Sequence, residues 1–113
     1  IGMDMHRCIG CRNCMAACPY GARSFNYKAP RDYIEEINPS YPTRMKGVVE
    51  KCNFCSERLA VGELPLCAEI AGDAITFGNI ADPNSSVSKK LAENFTLQRR
   101  SNLGTKPKVY YIV

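Results

Sequence analysis

The chain has 113 residues, of which 45% are hydrophobic and 23% charged, enough for one domain but not for several. Its formal net charge of +4 would suit an anionic partner, but seven metal-bound thiolates would offset most of that charge. Basic and aromatic residues do not interleave, so we expect no nucleic-acid partner. No apolar stretch approaches the roughly 20 residues of a membrane span, so we expect a chain that is at most peripheral to a membrane.

The first predicted elements surround a dense cysteine motif. CIGCRNCMAACP places Cys8, Cys11, Cys14 and Cys18 within eleven residues and ends in a proline. We expect short extended stretches over GMDMH and ARSFNY and a helical turn over RNCMAAC. Because the chain opens with Ile1 directly before this motif, we expect it to be a piece of a longer polypeptide.

A loop and a second cysteine group follow. Residues 28–47 contain three prolines and no sustained period, which predicts a surface loop insertion. We expect a strand over VVEKC, a short helix over NFCSERLAVG, a helical turn over LPLCAEIAG and a strand over DAITFGNI. This segment supplies Cys52, Cys55 and Cys67, and its order of elements repeats that of the first half, as in a weak internal duplication.

Residues 81–113 are predicted to form a C-terminal tail. SSVSKKLAEN has the serines of a helix N-cap followed by helical residues, and KVYYIV has the composition of a terminal strand. We interpret the basic residues of this segment as a solvated face. They are Lys89, Lys90, Arg99 and Arg100.

The number and spacing of the cysteines favour iron–sulfur clusters. A disulfide framework prefers an even, dispersed set, whereas here the count is odd and four of seven are bunched. Zinc could be held by the two C-x2-C pairs, but it would leave three cysteines unused. In C-x2-C-x2-C-x3-C-P the first three thiolates hold one cubane and the fourth reaches another. We expect His6 to be a surface group, and no catalytic constellation is visible, so the chain is predicted to transfer electrons.

Three segments carry a family resemblance: HRCIGCRNCMAACPYGARSF, GVVEKCNFCSERLAVGELPLCAE and ITFGNIADPNSSVSKKLAEN with LGTKPKVYYI. They resemble the C-terminal half of four-cluster ferredoxin-like iron–sulfur subunits of the NrfC, polysulfide-reductase and dimethylsulfoxide-reductase type. Within that group, INPSYPTRMKGVVEKCNFCSERLA is most similar to DsrO of the sulfite-reduction-associated Dsr membrane complex. The resemblance implies an α+β, ferredoxin-like bis-cluster fold, with a 4Fe-4S ferredoxin-type domain over residues 1–80 and the tail over 81–113.

The resemblance also implies a function. The chain would be a non-catalytic electron-transfer subunit of a respiratory complex, peripheral at the extracytoplasmic (periplasmic) face and associated with about two [4Fe-4S] clusters. Its partners would be a quinone-interacting membrane subunit and a multihaem cytochrome, or a molybdopterin subunit. The alternatives are a free two-cluster ferredoxin and a zinc-binding interaction module. The implied iron ligands are Cys8, Cys11, Cys14, Cys18, Cys52, Cys55 and Cys67.

Two ligand arrangements remain open. In the longer family architecture, Cys18 would serve a cluster in a half that this chain does not contain; in a chain standing alone, it would complete the cluster of the second cysteine group. The family usually has Cys-Pro where this chain has Ala71 and Gly72, so one cluster lacks a protein thiolate. That cluster would be absent, reduced to a three-iron form, or completed by an oxygen such as that of Asp73.

Overall fold

The computed structural model describes residues 2–41 and 43–113, and it contains short helices and short strands joined by loops. The predicted mixture of helix and strand is confirmed. The chain divides into two compact units, of which the first ends at Pro65 and the second is Leu66–Val113. The predicted boundary of a ferredoxin-type domain at residue 80 stays a prediction.

The described residues of the first unit form five short elements. In chain order they are helix α1 (Asn13–Ala17), strand β1 (Ser24–Phe25), a 3-10 helix (Pro30–Tyr33), strand β2 (Val49–Glu50) and helix α2 (Ser56–Leu59). The predicted helical turn within the dense motif, both flanking strands of the loop insertion and the helix before Gly62 are confirmed.

Strands β1 and β2 pair antiparallel, with Phe25 opposite Val49. Backbone bonds continue beyond the ladder: the N–H of Asn26 donates to the Val48 carbonyl at 3.0 Å, and that of Gly47 donates to the Asn26 carbonyl at 2.8 Å. The hairpin carries the core of this unit, since Val49 is only 1% exposed and Val48 and Met5 are also buried. Among the described residues 28–41 and 43–47, the predicted loop leaves and rejoins the hairpin and contains the short 3-10 helix Pro30–Tyr33.

The prediction of an extended stretch over GMDMH is wrong. Residues 5–7 form a turn, in which the Asp4 carboxylate accepts the N–H of His6 at 2.9 Å and the Asp4 carbonyl accepts the N–H of Arg7 at 3.3 Å. Aspartate side chains stabilise turns by bonding the backbone two residues ahead, and here that local bond replaces an extended strand.

The second unit also has short elements. They are helix α3 (Leu66–Ala71), a 3-10 helix (Gly72–Ala74), helix α4 (Ser86–Glu93), strand β3 (Thr96–Leu97), a 3-10 helix (Ser101–Leu103) and strand β4 (Tyr111–Ile112). Strands β3 and β4 pair antiparallel, with Thr96 opposite Ile112. The predicted tail helix and terminal strand are confirmed, whereas β3, which gives the terminal strand its partner, was not anticipated. No helix within residues 2–41 and 43–113 is long and apolar enough to cross a membrane.

The strand expected over DAITFGNI is also wrong. Its first residues lie in the 3-10 helix Gly72–Ala74. Ile75 has an extended backbone, but within the described part of the chain it pairs with no other strand. Side chains of α4 bond this segment instead: Lys90 Nζ donates to Thr76 Oγ1 at 2.8 Å, and the Ser88 hydroxyl donates to the Ile80 carbonyl at 3.2 Å. An alternating sequence becomes a strand only when a neighbouring backbone pairs with it, and here a helix is the neighbour.

Ser85 is the N-cap of α4 and connects the helix to the preceding loop. Its Oγ accepts the N–H of Ser88 at 3.1 Å, and its hydroxyl lies 2.8 Å from the Asn79 carbonyl oxygen, to which it donates. Capping satisfies one of the donors that the first helical turn leaves without a partner.

We expect Ser85→Ala to fray α4, because an N-cap of this kind contributes about 1 kcal/mol. Amide hydrogen exchange of residues 89–93 should accelerate by about fivefold. Ser86→Ala is the matched control, since Ser86 is exposed and lies one residue after the cap. Equal exchange rates in the two variants would show that the Ser85 cap does not hold the helix.

Candidate metal centre

All seven cysteines have free thiols. Cys11, Cys52 and Cys67 are exposed and the other four are half-buried. Six of them belong to the first unit and one to the second, so the two sets are described separately. Within residues 2–41 and 43–113, no three His, Cys, Asp or Glu side chains converge on a position where they could hold a metal ion.

The loop between Cys8 and α1 lies close against the β1–β2 hairpin. Gly10 has a left-handed backbone (φ 70°), and a Cβ added there would overlap the carbonyl oxygen of Gly47 and lie 3.3 Å from the Phe25 ring. Arg12 is also left-handed (φ 63°), and its guanidinium lies 5.4 Å from the centre of the same ring. Only glycine fits at position 10, so the hairpin fixes the path of the first cysteine loop.

The sulfur of Cys8 accepts a hydrogen bond from the hairpin. The N–H of Val49 points at Cys8 Sγ with a separation of 3.4 Å. A backbone N–H directed at a cysteine sulfur stabilises its thiolate and tunes whatever metal group the thiolate holds. The most buried residue of the described chain thus supplies a donor to a predicted ligand.

Cys18 follows α1 and lies in a turn that favours its thiolate. Hydrogen bonds from the backbone N–H groups of Ala22 and Tyr20 lower the pKa of the Cys18 thiol, with smaller contributions from the Gly21 N–H and the charge of Arg23. Burial opposes this shift without cancelling it. A lowered thiol pKa favours the thiolate, which is the form of cysteine that ligates a metal.

The loop that carries Cys52 and Cys55 is held in a strained conformation. Phe54 and Cys55 are both left-handed (φ 60° and 50°) although neither is glycine, a conformation that costs of order 1–3 kcal/mol for each residue. The Asn53 side chain holds the loop: its Oδ1 accepts the N–H of Cys55 at 2.9 Å and its Nδ2 donates to Glu57 at 3.2 Å. The N–H of Phe54 donates to Cys52 Sγ at 3.4 Å, so this loop too directs a donor at a predicted ligand.

A cavity of about 510 Å³ lies between the Cys18 turn and the Cys52 loop. Its wall contains three cations and one carboxylate. The lining residues that bear on this argument are Arg23, Arg44, Lys51, Glu50, Gly21 and Cys52. An excess of positive charge suits the negative charge of a thiolate-ligated group, and Cys52 is the cysteine that lines this cavity.

In the second unit, Cys67 lies in the first turn of α3 and is exposed, while Ala68 is buried beside it. Ala71 ends this helix, and Gly72 continues with a left-handed backbone (φ 55°). Position 71 therefore presents a methyl group where the family resemblance predicts a thiol. The suggested oxygen ligand, Asp73, is exposed, and its role stays a prediction.

The sequence analysis identified the cysteines but not the residues that orient them. Asn53 was missed, although an asparagine just before a left-handed pair is a known turn signal and could have been found. The hydrogen bond from the Val49 N–H to the Cys8 sulfur could not have been predicted, because nothing in the local sequence marks a buried valine as the partner of a cysteine 41 residues away.

The sequence matches known iron–sulfur proteins along nearly its whole length. Residues 1–22 match the family model described as 4Fe-4S binding domain. The chain is 53% identical to the Hdr-like menaquinol oxidoreductase iron-sulfur subunit 1 of Archaeoglobus fulgidus, in an alignment that covers 98% of this chain and 45% of that protein.

Two further relatives are similar. One is the iron-sulfur subunit of a putative dimethyl sulfoxide reductase from Halobacterium salinarum, 45% identical over 99% of this chain and 43% of that protein. The other is the B polypeptide of polysulfide reductase from Wolinella succinogenes, 38% identical over 99% of this chain and 51% of that protein. The chain thus spans about half the length of these curated relatives.

We expect Gly10→Ala to lose most of its bound iron, because the added methyl group would displace the first cysteine loop from Gly47. Gly62→Ala is the control: Gly62 is also left-handed (φ 81°), but an added Cβ meets nothing within 4 Å. Iron content of the full-length purified protein is the measurement. Equal iron loss in both variants would mean that backbone strain, rather than the Gly47 contact, accounts for the effect.

Proposed function

This protein belongs to the family of ferredoxin-like iron–sulfur subunits, and we propose that it is the electron-transfer part of such a subunit in a membrane-associated oxidoreductase complex. The observation that carries this proposal is that backbone N–H groups point at the sulfurs of predicted ligands in both cysteine loops of the first unit. They reach Cys8 and Cys52, with an N···S separation of 3.4 Å in each case. No serine or histidine arrangement for covalent catalysis was found in the sequence, and electron transfer requires none.

We propose the following ligands. Cys8, Cys11 and Cys14 hold one [4Fe-4S] cluster, and Cys18 reaches a neighbouring one. A further cluster takes the second cysteine group, Cys52, Cys55 and Cys67. When bound, such clusters accept and release one electron at a time. The protein's contribution is to direct backbone N–H donors at the sulfurs of Cys8 and Cys52.

The complex that we propose is of the Dsr type, linked to sulfur metabolism, with the chain peripheral at the extracytoplasmic face. A relative named as part of a menaquinol oxidoreductase supports a quinone-interacting membrane partner. A second candidate is the electron-transfer subunit of a molybdopterin oxidoreductase, which is favoured by the similarity to a putative dimethyl sulfoxide reductase iron-sulfur subunit. The co-purifying subunits distinguish the two: a multihaem cytochrome indicates the first and a large molybdopterin subunit the second.

Purified full-length protein should contain iron and acid-labile sulfide in cubane proportion, and after reduction with dithionite it should give the paramagnetic resonance of reduced [4Fe-4S] clusters. Low-temperature electron paramagnetic resonance and metal analysis are the measurements. A colourless protein that contains zinc and no iron would contradict the proposal and would indicate the zinc-binding interaction module instead.

Ala71 is expected to remove one cluster from the full-length subunit, so metal analysis should find fewer than the four cubanes of the family pattern. Ala71→Cys should raise the iron and sulfide content by one cluster, because it restores the missing thiolate at the end of α3. Asp73→Ala is the companion variant. If Asp73→Ala lowers the iron content, or if the unaltered subunit already carries four cubanes, the cluster is present despite Ala71.

A further inference from the structure

Glu50 is the buried charged residue of the described chain. It is 8% exposed, and it sits on β2 next to Val49, whose N–H donates to Cys8 Sγ. A buried carboxylate is costly unless it is paired and hydrogen-bonded. Because the Glu50 carboxylate must be paired, its partner also restricts the position of β2, the strand whose Val49 N–H donates to the Cys8 sulfur.

Arg44 meets that requirement from the loop insertion. Its Nε donates to both Glu50 carboxylate oxygens, at 2.9 Å and 3.1 Å, and its Nη2 forms an ion pair with Oε2. This fork-shaped contact is the strong, directional form of an arginine–carboxylate pair. The same hydrogen bond lowers the pKa of Glu50, which keeps the carboxylate ionised.

Asn26, the residue after β1, closes the arrangement. Its Nδ2 donates to the Met45 carbonyl at 3.0 Å, and its backbone bonds both Val48 and Gly47. Two sets of contacts thus fix residues 44–50. Asn26 holds the segment against the end of β1, and the ion pair joins its first residue, Arg44, to its last, Glu50. Strand β2 has two residues and cannot depend on its own ladder for a fixed position.

We propose that the Arg44–Glu50 ion pair is a positioning device that holds β2 with its Val49 N–H directed at Cys8 Sγ, and thereby raises the reduction potential of the cluster that Cys8 ligates. The inference rests on the proposed function, in which Cys8 is a cluster ligand. Reduction adds negative charge that is shared with the sulfurs, and an N–H donor stabilises that charge. Loosening the strand weakens the bond and makes the cluster harder to reduce.

A direct effect of charge gives a different pattern of results. Glu50 adjoins Val49, whose N–H reaches Cys8 Sγ, and Arg44 is paired with Glu50, so each residue also acts on the Cys8 cluster by its own charge. By charge alone, loss of the Glu50 carboxylate would raise the potential and loss of the Arg44 cation would lower it. If the ion pair acts by positioning β2, both losses lower the reduction potential. The sign of the effect of Glu50→Gln therefore separates the two explanations.

The test is a redox titration of the full-length protein, followed by electron paramagnetic resonance and compared at equal iron content. The signal of the Cys8 cluster is identified by its change in Cys8→Ser. Arg44→Met and Glu50→Gln should each lower the ratio of reduced to oxidised cluster at a fixed potential by about fivefold. The double variant should show no more than the single effect, because the two residues act as one unit.

Two more variants complete the design. Lys46→Met removes an exposed cation from the same loop insertion as Arg44. It should change the ratio of reduced to oxidised cluster by less than about twofold, since an exposed charge is screened. Arg44→Lys keeps the charge but loses the fork-shaped contact, and it should lower the ratio part of the way. In electron–nuclear double resonance, the exchangeable proton of the Val49 amide should couple more weakly to the cluster in both single variants.

The proposal is overturned if Glu50→Gln raises the potential, if Arg44→Lys leaves it unchanged, or if every variant loses its iron, which would make the pair a requirement of folding only. Should Glu50→Gln alone fail to bind iron, Arg44→Lys still distinguishes positioning from charge. Absence of any cubane signal in the unaltered protein is a separate result, and it would overturn the proposed function instead.

Discussion

The antiparallel contact between Ser24–Phe25 and Val49–Glu50 is the interaction on which the first unit depends. It places Gly47 against Gly10, the Phe25 ring under Arg12, and the N–H of Val49 against Cys8 Sγ. A pairing of two residues on each strand thus determines the path of the first cysteine loop. The two strands are separated by more than twenty residues, so local sequence alone does not produce the arrangement.

The apolar core is small for a chain of this length. Among residues 2–41 and 43–113, the buried apolar side chains are Met5, Val48, Val49 and Ala68. Ile9 and Phe54, which neighbour predicted ligands, are 87% and 51% exposed. Apolar burial on this scale provides little stability, and a metal group coordinated by thiolates provides folding energy of its own. The left-handed pair Phe54 and Cys55 fits this view, because ligation can offset the conformational cost of such a loop.

Sequence reasoning was most successful where the determinants are local. The spacing of the cysteines, the N-cap at Ser85 and the glycine after α2 each act over a few residues, and the elements that they mark are present. It failed where a distant partner decides the outcome. The stretch after Ala74 alternates like a strand but contacts a helix, and β3 exists because the C-terminus pairs with it. The donor to Cys8 is a tertiary contact and carries no local signal.

The backbone bond from Gly47 to Asn26 closes the loop insertion just before the chain reaches the cysteine-bearing hairpin. The entropic cost of closing a flexible loop rises slowly with its length, by about 0.6 kcal/mol for each doubling. Residues between Lys28 and Thr43 can therefore lengthen, shorten or change composition at little thermodynamic cost, provided that Arg44 and Gly47 keep their contacts. The environment of the Cys8 sulfur then stays constant while the length and composition of this loop change.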